Sequence, residues 1–306
     1  KRECGLQAAR IGFARAREIE CRAVIHRRAH DRQAQRDVDR MAEARVLQHR
    51  QALIVIHRDD GIDAAGLGHL ERIARKYSDD VWVIAPATHQ SARSRGITLR
   101  TPLRIVELGE KRAAVTGTPV DTFMVGLEHF FDDHLPDLVL SGVNHGGNTG
   151  ADIGYSGTCG IVMEAAMHGI RGIAFSQHIV DGRMDWTVTE ACIDEVFEKV
   201  MQVAVPETIP LSVNFPAKLR EGNPPIMVVP QGFRIEKVGL SPGEDEEGPF
   251  YIFGHLRDDA PGNPVSDVAA IVGGCVSVTP LRFKCDHTDY LESVGTQLDL
   301  IERFGS

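Results

Sequence analysis

The run Ala52-Leu53-Ile54-Val55-Ile56 carries five apolar residues with no polar alternation, and Asp59, Asp60 and Gly61 follow closely. A strand that alternates can leave one face in water. A strand that does not must be covered on both faces, which is the condition of a central strand in a parallel sheet. A helical period comes next, from Leu67 to about Lys76, with Leu67, Leu70 and Ile73 on one face and charges opposite. Val81-Trp82-Val83-Ile84-Ala85-Pro86 then reads as a second strand closed by a proline. Strand, helix and strand within about thirty-five residues make a βαβ unit, which crosses over right-handedly into a parallel sheet.

The pattern continues. Ile97–Glu107 is expected to hold one or two short strands, and Val115–Asp121 a turn feeding a helix through Phe123, Met124, Leu127 and Phe130-Phe131. Leu138-Val139-Leu140 is a buried strand running into Ser141-Gly142-Val143-Asn144 and the loop Gly146–Gly150. Tyr155-Ser156-Gly157-Thr158 precedes a helix rich in Ile161, Val162, Ala165, Ala166 and Met167, and Ile173-Ala174-Phe175-Ser176 is one more buried strand. The fold class expected is α/β: a doubly wound, mostly parallel Rossmann-like sheet with helices on both faces, its core spanning about 51–205. From about 206 to 285 the prolines and glycines predict β-hairpins, a dimerisation or lid element, with a mobile acidic loop at Gly243–Gly248. A closing helix is expected at about 291–304.

Composition narrows the function. Apolar and charged fractions of 42% and 25% are those of a globular domain, and no apolar stretch approaches the ~20 residues that span a bilayer. A membrane partner is therefore not expected. Six cysteines without C-x-x-C spacing indicate neither zinc nor a disulfide framework, so a reducing cytoplasm is the expected location. The net charge of -9 is unevenly spread: residues 1–50 hold 13 Lys and Arg against 7 Asp and Glu, and 51–306 hold 21 against 36. Duplex binding rests on phosphate neutralisation, so this acidic body is not expected to bind polymeric nucleic acid. Residues 1–50 lack serine but carry acids, unlike a targeting peptide. They read as an appended segment without a fold of its own or as a basic helical appendage, and Met41 would be a natural start.

The chemistry-bearing residues lie at strand ends. Asp59-Asp60-Gly61 alone is an ordinary solvated turn. Two adjacent carboxylates after a buried strand are also what a cation would hold, and in open α/β sheets ligands bind at that edge. Ser91 follows the second strand, and Asn144 and Asn148 follow the Leu138 strand. Carboxylate, hydroxyl and amide oxygens suit a hard divalent ion such as Mg²⁺ or Mn²⁺. Ser156-Gly157-Thr158 at a helix start is either a cap or an anion site made of free N–H groups, two hydroxyls and the positive end of the helix dipole. A metal beside a phosphate cradle suggests phosphoryl-ester hydrolysis.

In these residues the chain resembles the SurE family of survival-protein nucleotidases, metal-dependent phosphatases of nucleoside monophosphates. The resemblance rests on His57-Arg58-Asp59-Asp60-Gly61-Ile62, the serine loop Ala85–Ser91 and Gly117-Thr118-Pro119-Val120-Asp121. It continues through Ser141-Gly142-Val143-Asn144-His145-Gly146-Gly147-Asn148-Thr149-Gly150, Tyr155–Thr158 and Met163-Glu164, and ends in Leu211–Pro216 and Val276–Leu281. It covers about residues 52–290. It implies that Asp59, Asp60, Ser91 and Asn144 bind the divalent metal, with the two aspartates catalytic, and that Asn148, Ser156, Gly157 and Thr158 hold the phosphate. It implies nucleoside 5′- and 3′-monophosphates as substrates, and a homodimer or homotetramer with C-terminal elements exchanged between subunits.

Two positions depart from the family pattern. Arg58 stands where the family has Asn, and Ala87 where Asp is expected. Arg58 could pair with an aspartate and compete with the metal, point to solvent, or meet the substrate phosphate. It raises an alternative: a catalytically impaired nucleotide- or phosphate-binding protein of the same fold. A haloacid-dehalogenase-type phosphatase is disfavoured, because that chemistry needs Asp-x-Asp and these aspartates are adjacent.

Overall fold

The computed structural model describes residues 54–57, 62, 64–131, 134–180, 182–219, 222–232, 239–253, 263–283 and 290. The segment 1–50, the loop residues Arg58, Asp59, Asp60 and Gly61 and the expected helix at 291–304 lie outside them.

Among the described residues, the first strand lies in the middle of the sheet. Strand β1 (Ile54–His57) pairs in parallel with β2 (Val81–Pro86) on one side and with β5 (Leu138–His145) on the other. Beyond β2 lie β4 (Arg112–Val115) and the antiparallel edge strand β3 (Ile105–Gly109). Beyond β5 lie β6 (Arg171–Gln177) and β7 (Leu211–Phe215), both parallel. Next come β11 (Val276–Pro280), antiparallel to β7, and β8 (Ile226–Val228), parallel to β11. The nine strands stand in the order β3-β4-β2-β1-β5-β6-β7-β11-β8. The winding reverses between β1 and β5, which opens a crevice at their carboxyl ends.

Strand alternation divides the core into two layers. Val81, Val83, Leu138, Leu140, Ile173 and Phe175 face one way, onto α1 (Ala65–Ala74) and α4 (Thr187–Met201). Ile84 and Val139 face the other way, onto α2 (Pro119–Phe130) and α3 (Gly157–Met167). Helix α1 buries Leu67, Leu70, Ile73 and Ala74 and keeps Arg72 outside. Helix α4 buries Val188, Cys192, Ile193, Val196, Phe197 and Val200. Arg171 donates to the carbonyls of Val200 and Val203 at the end of α4, and its burial lowers the guanidinium pKa. Helix α3 is apolar nearly all round because the sheet lies on one side, α2 beside it and a loop across its start.

The doubly wound expectation holds, with differences in detail. Residues 97–104 are irregular and only Ile105–Gly109 forms a strand; β4 was not anticipated, because Arg-Ala-Ala-Val has little intrinsic β preference and is a strand by virtue of pairing on both sides. The sheet does not end near residue 205: β7 continues it in parallel, and strand direction reverses only beyond β7, where β11 and β8 extend it. The expected mobile loop at Gly243–Gly248 is the tip of a regular hairpin, β9 (Leu240–Asp245) with β10 (Gly248–Phe253). Asp245 accepts the Glu247 N–H and Gly248 takes φ +117°, so the acidic residues sit in a tight turn. A short helix, α5 (Asp267–Val272), was also missed; Ser266 caps it and Val268, Ala270 and Ile271 are buried. No helix among the described residues is long and apolar enough to cross a membrane.

Strand β5 carries one residue more than β6 between the pairs Ser141↔Ala174 and Asn144↔Ser176. This bulge is possible because of Gly142. Its φ is +121°, and a Cβ there would stand 2.0 Å from the Phe175 carbonyl oxygen. Gly142→Ala is expected to lower stability by about 3 kcal/mol or more, read as a shift in denaturant midpoint against wild type; an unshifted midpoint would contradict this packing.

Candidate active site

The bulge in β5 aims Asn144 at the crevice edge of the sheet. The side chain is half-buried, and its Nδ2 donates to the Gly146 carbonyl at 2.9 Å. Its Oδ1 is thus the atom left to accept or to ligate. The chain then turns, with Gly146 donating its N–H to the Gln177 carbonyl. Asn148 comes down onto the sheet and is buried: its Nδ2 donates to Ser176 Oγ at 2.8 Å, and its backbone N–H donates to Asn214 Oδ1 at 2.8 Å.

Ser91 stands on an exposed loop after β2, its Oγ 3.0 Å from His89 Nε2. Two non-glycine residues of this loop, Ala92 and Ser94, have left-handed backbones at φ 59° and 54°. Such conformations persist only where surrounding contacts impose them. The contacts are present: Ser94 donates its N–H to the Tyr155 carbonyl at 2.9 Å and its Oγ to the Gly154 carbonyl at 2.7 Å. The serine loop is therefore stitched to the turn that introduces α3.

At that helix start Ser156 is the N-cap, its Oγ accepting the Cys159 N–H at 3.1 Å. The capping role and an anion-site role are compatible, because Gly157 and Thr158 contribute further first-turn amides beside the capped one. The first turn of α3 holds no acidic residue. Ser156, Gly157 and Thr158 are all buried.

The structure thus brings Ser91's loop and the Ser156 helix start together, with Asn144 at the end of β5 and Asn148 in the loop that follows it. Asp59 and Asp60 lie outside the described residues; they follow by two and three positions the end of β1, which pairs with β5 at His57↔Ser141. Among the described residues, no group of three or more His, Cys, Asp and Glu is gathered to hold a metal. A metal centre here would draw on hydroxyl and amide oxygens together with those two aspartates, a donor set that fits a hard divalent ion.

Sequence reasoning missed the groups that brace these loops. Arg95 donates to Glu164 Oε2 at 2.6 Å and lies 4.2 Å over the Phe283 ring, pinning the serine loop to α3. The Gly117–Asp121 motif has a bracing role as well. Thr118 and Asp121 form a capping box on α2, while Thr118 Oγ1 donates to the Gly96 carbonyl and Asp121 accepts the Thr98 N–H. The far end of the serine loop is held by this box. An ion pair 69 residues apart in sequence leaves no local signature.

Gly160, in the second turn of α3, lets the loop approach: a Cβ there would meet the Ser94 carbonyl oxygen at 2.6 Å. Alanine at an ordinary helical position gains about 1 kcal/mol over glycine. Gly160→Ala is expected to do the reverse, costing about 1–3 kcal/mol and displacing the serine loop. Thermal unfolding checks the sign, and a stabilised variant would contradict the contact.

Comparison with known proteins agrees with this architecture. The family described as "Survival protein SurE" matches residues 54–237. A protein named 5'-nucleotidase SurE from Paramagnetospirillum magneticum is 38% identical over 247 residues, 79% of this chain and 94% of that protein. One of the same name from Brucella canis is 42% identical over 234 residues, 75% of this chain and 91% of its own length. The crystal structure of SurE protein from Aquifex aeolicus superposes with a TM-score of 0.69 at 30% identity, covering 80% of this chain and 99% of that one. The extent of these matches, and the sheet and loops they cover, make this chain a member of the SurE family.

Proposed function

We propose that the protein is a metal-dependent phosphomonoester hydrolase, a 5′-nucleotidase acting on nucleoside 5′- and 3′-monophosphates. The observation that carries this reading is the stitching of the Ser91 loop to the start of α3 through Ser94, Gly154 and Tyr155, beside the crevice between β1 and β5. It gathers oxygen donors and first-turn amides on one edge of the sheet, and relatives named 5'-nucleotidase SurE are 38% and 42% identical over most of the chain.

Asp59, Asp60, Ser91 and Asn144 would hold the metal, Mg²⁺ or Mn²⁺, and SurE nucleotidases as a family depend on a metal. Bound there, the ion would supply an activated water and offset charge on the phosphoryl oxygens. Asn144 presents Oδ1 because Gly146 occupies its nitrogen. The amides of Gly157 and Thr158, the Ser156 and Thr158 hydroxyls and Asn148 would bind the phosphate, with the positive end of the α3 dipole behind them. Burial of Ser156, Thr158 and Asn148 keeps water from competing for those donors.

The association proposed is a homodimer or homotetramer. The hairpin β9–β10 supports it, since Tyr251, Ile252 and Phe253 are 67%, 59% and 74% exposed, which leaves large apolar side chains for a partner subunit to cover. The location proposed is a reducing cytoplasm, from the cysteine spacing of the sequence.

Purified protein is expected to release phosphate from AMP or GMP only with Mg²⁺ or Mn²⁺, detected with malachite green. Asp59→Ala should lose at least about 100-fold in kcat/KM. No turnover of any nucleoside monophosphate with either metal would refute the reading. Arg58, where the family has Asn, favours one second reading, a binding protein without turnover; activity that exists only after Arg58→Asn would establish it.

A further inference from the structure

Strand β7 reads Leu211-Ser212-Val213-Asn214-Phe215, and all five residues are buried. Leu211, Val213 and Phe215 belong to the apolar layer under α1 and α4. The opposite face is polar: Ser212 and Asn214 are fully buried, Ser176 of β6 and Ser277 of β11 are register partners of Asn214, and Thr279 is the partner of Ser212. Burying polar groups where aliphatic ones would pack is unfavourable unless they are hydrogen-bonded. The oxygens of Ser277 and Thr279 have no partner among the described residues. The stripe is therefore poorly explained as core packing.

Asn214 does have partners, and they lie in the loop above. Its Oδ1 accepts the Asn148 N–H at 2.8 Å and its Nδ2 donates to the Asn148 carbonyl at 3.2 Å, so one side chain holds both polar backbone groups of one loop residue. Ser176 Oγ holds the Asn148 side chain at 2.8 Å. Two residues on, the buried carboxylate of Asp267 accepts the N–H groups of Gly150 at 2.9 Å and Gly232 at 2.7 Å, and Gln231 donates to the Gly150 carbonyl at 2.7 Å. The loop 146–150 is clamped from beneath by residues 66 and 117 positions later in the chain.

We infer that Asn214 is a positioning residue for phosphate binding: it fixes Asn148 in register with the start of α3, and Asp267 secures the far end of the same loop. This rests on the nucleotidase reading above. Asn214 touches no reacting atom, and it acts through Asn148. Of the metal-binding positions, Asp59, Asp60 and Ser91 belong to other loops and Asn144 is fixed within β5 by its pairing with Ser176, ahead of the residues Asn214 holds, so phosphate affinity and metal requirement should separate.

The test uses the full chain, with Asn214→Ala as the main variant and Asn214→Ser as a smaller polar one. Inorganic phosphate as a competitive product inhibitor is expected to bind about tenfold more weakly to Asn214→Ala, with KM for AMP raised and the Mg²⁺ or Mn²⁺ concentration for half-maximal activity unchanged. Hydrogen exchange at the Asn148 amide should accelerate in the variant while the strand amides of β6 stay protected. A folded Asn214→Ala protein with wild-type phosphate inhibition, or with Asn148 as protected as before, overturns the inference. If Asn214→Ala does not fold, the same two readings on Asn214→Ser decide it. A wild-type protein that neither turns over AMP nor binds phosphate would instead end the nucleotidase reading, and this role with it.

Discussion

Parallel pairing on both edges of β1 is the constraint on which the rest depends. A strand bonded on both sides must lie in the middle of a sheet, so the described sheet extends outward from it, through β2 and β4 on one side and through β5, β6 and β7 on the other. The reversal leaves the carboxyl ends of β1 and β5 adjacent, with no crossover between them. Every loop assigned a chemical role follows β1, β2 or β5, or introduces the helix between β5 and β6.

The loops do not reach their places unaided. The serine loop is bonded to Gly154 and Tyr155, paired through Arg95 to Glu164, and held at its far end by the Thr118–Asp121 capping box. Glycine is needed at two points for reasons of distance: Gly142 under the Phe175 carbonyl and Gly160 under the Ser94 carbonyl. Such contacts between backbones tolerate no methyl group, which couples site geometry to core packing. The C-terminal strands then have a second use, since β7 and α5 reach back beneath the loop 146–150.

Much of this was legible in the sequence. Non-alternating runs such as Leu138-Val139-Leu140 identified central strands, and the position of Ser156 before an apolar helix identified its cap. Less legible was whatever depended on neighbours. Strand β4 pairs on both sides although two of its four residues are alanine. The acidic turn at Asp245–Gly248 looked like free loop because charge marks solvent exposure and says nothing about whether the flanks pair.

Local chemistry is written in order along the chain, so the sequence by itself determined the fold class, the succession of strands and helices, and the residue types offered at each strand end. Apolar periodicity and capping act over three or four residues and need no knowledge of the rest of the chain. Only the tertiary structure decided which groups brace the site: Arg95 with Glu164, Asn214 with Asn148, Asp267 with Gly150. These partners stand 69, 66 and 117 residues apart, and a hydrogen bond across such a span exists only after the sheet has set its register.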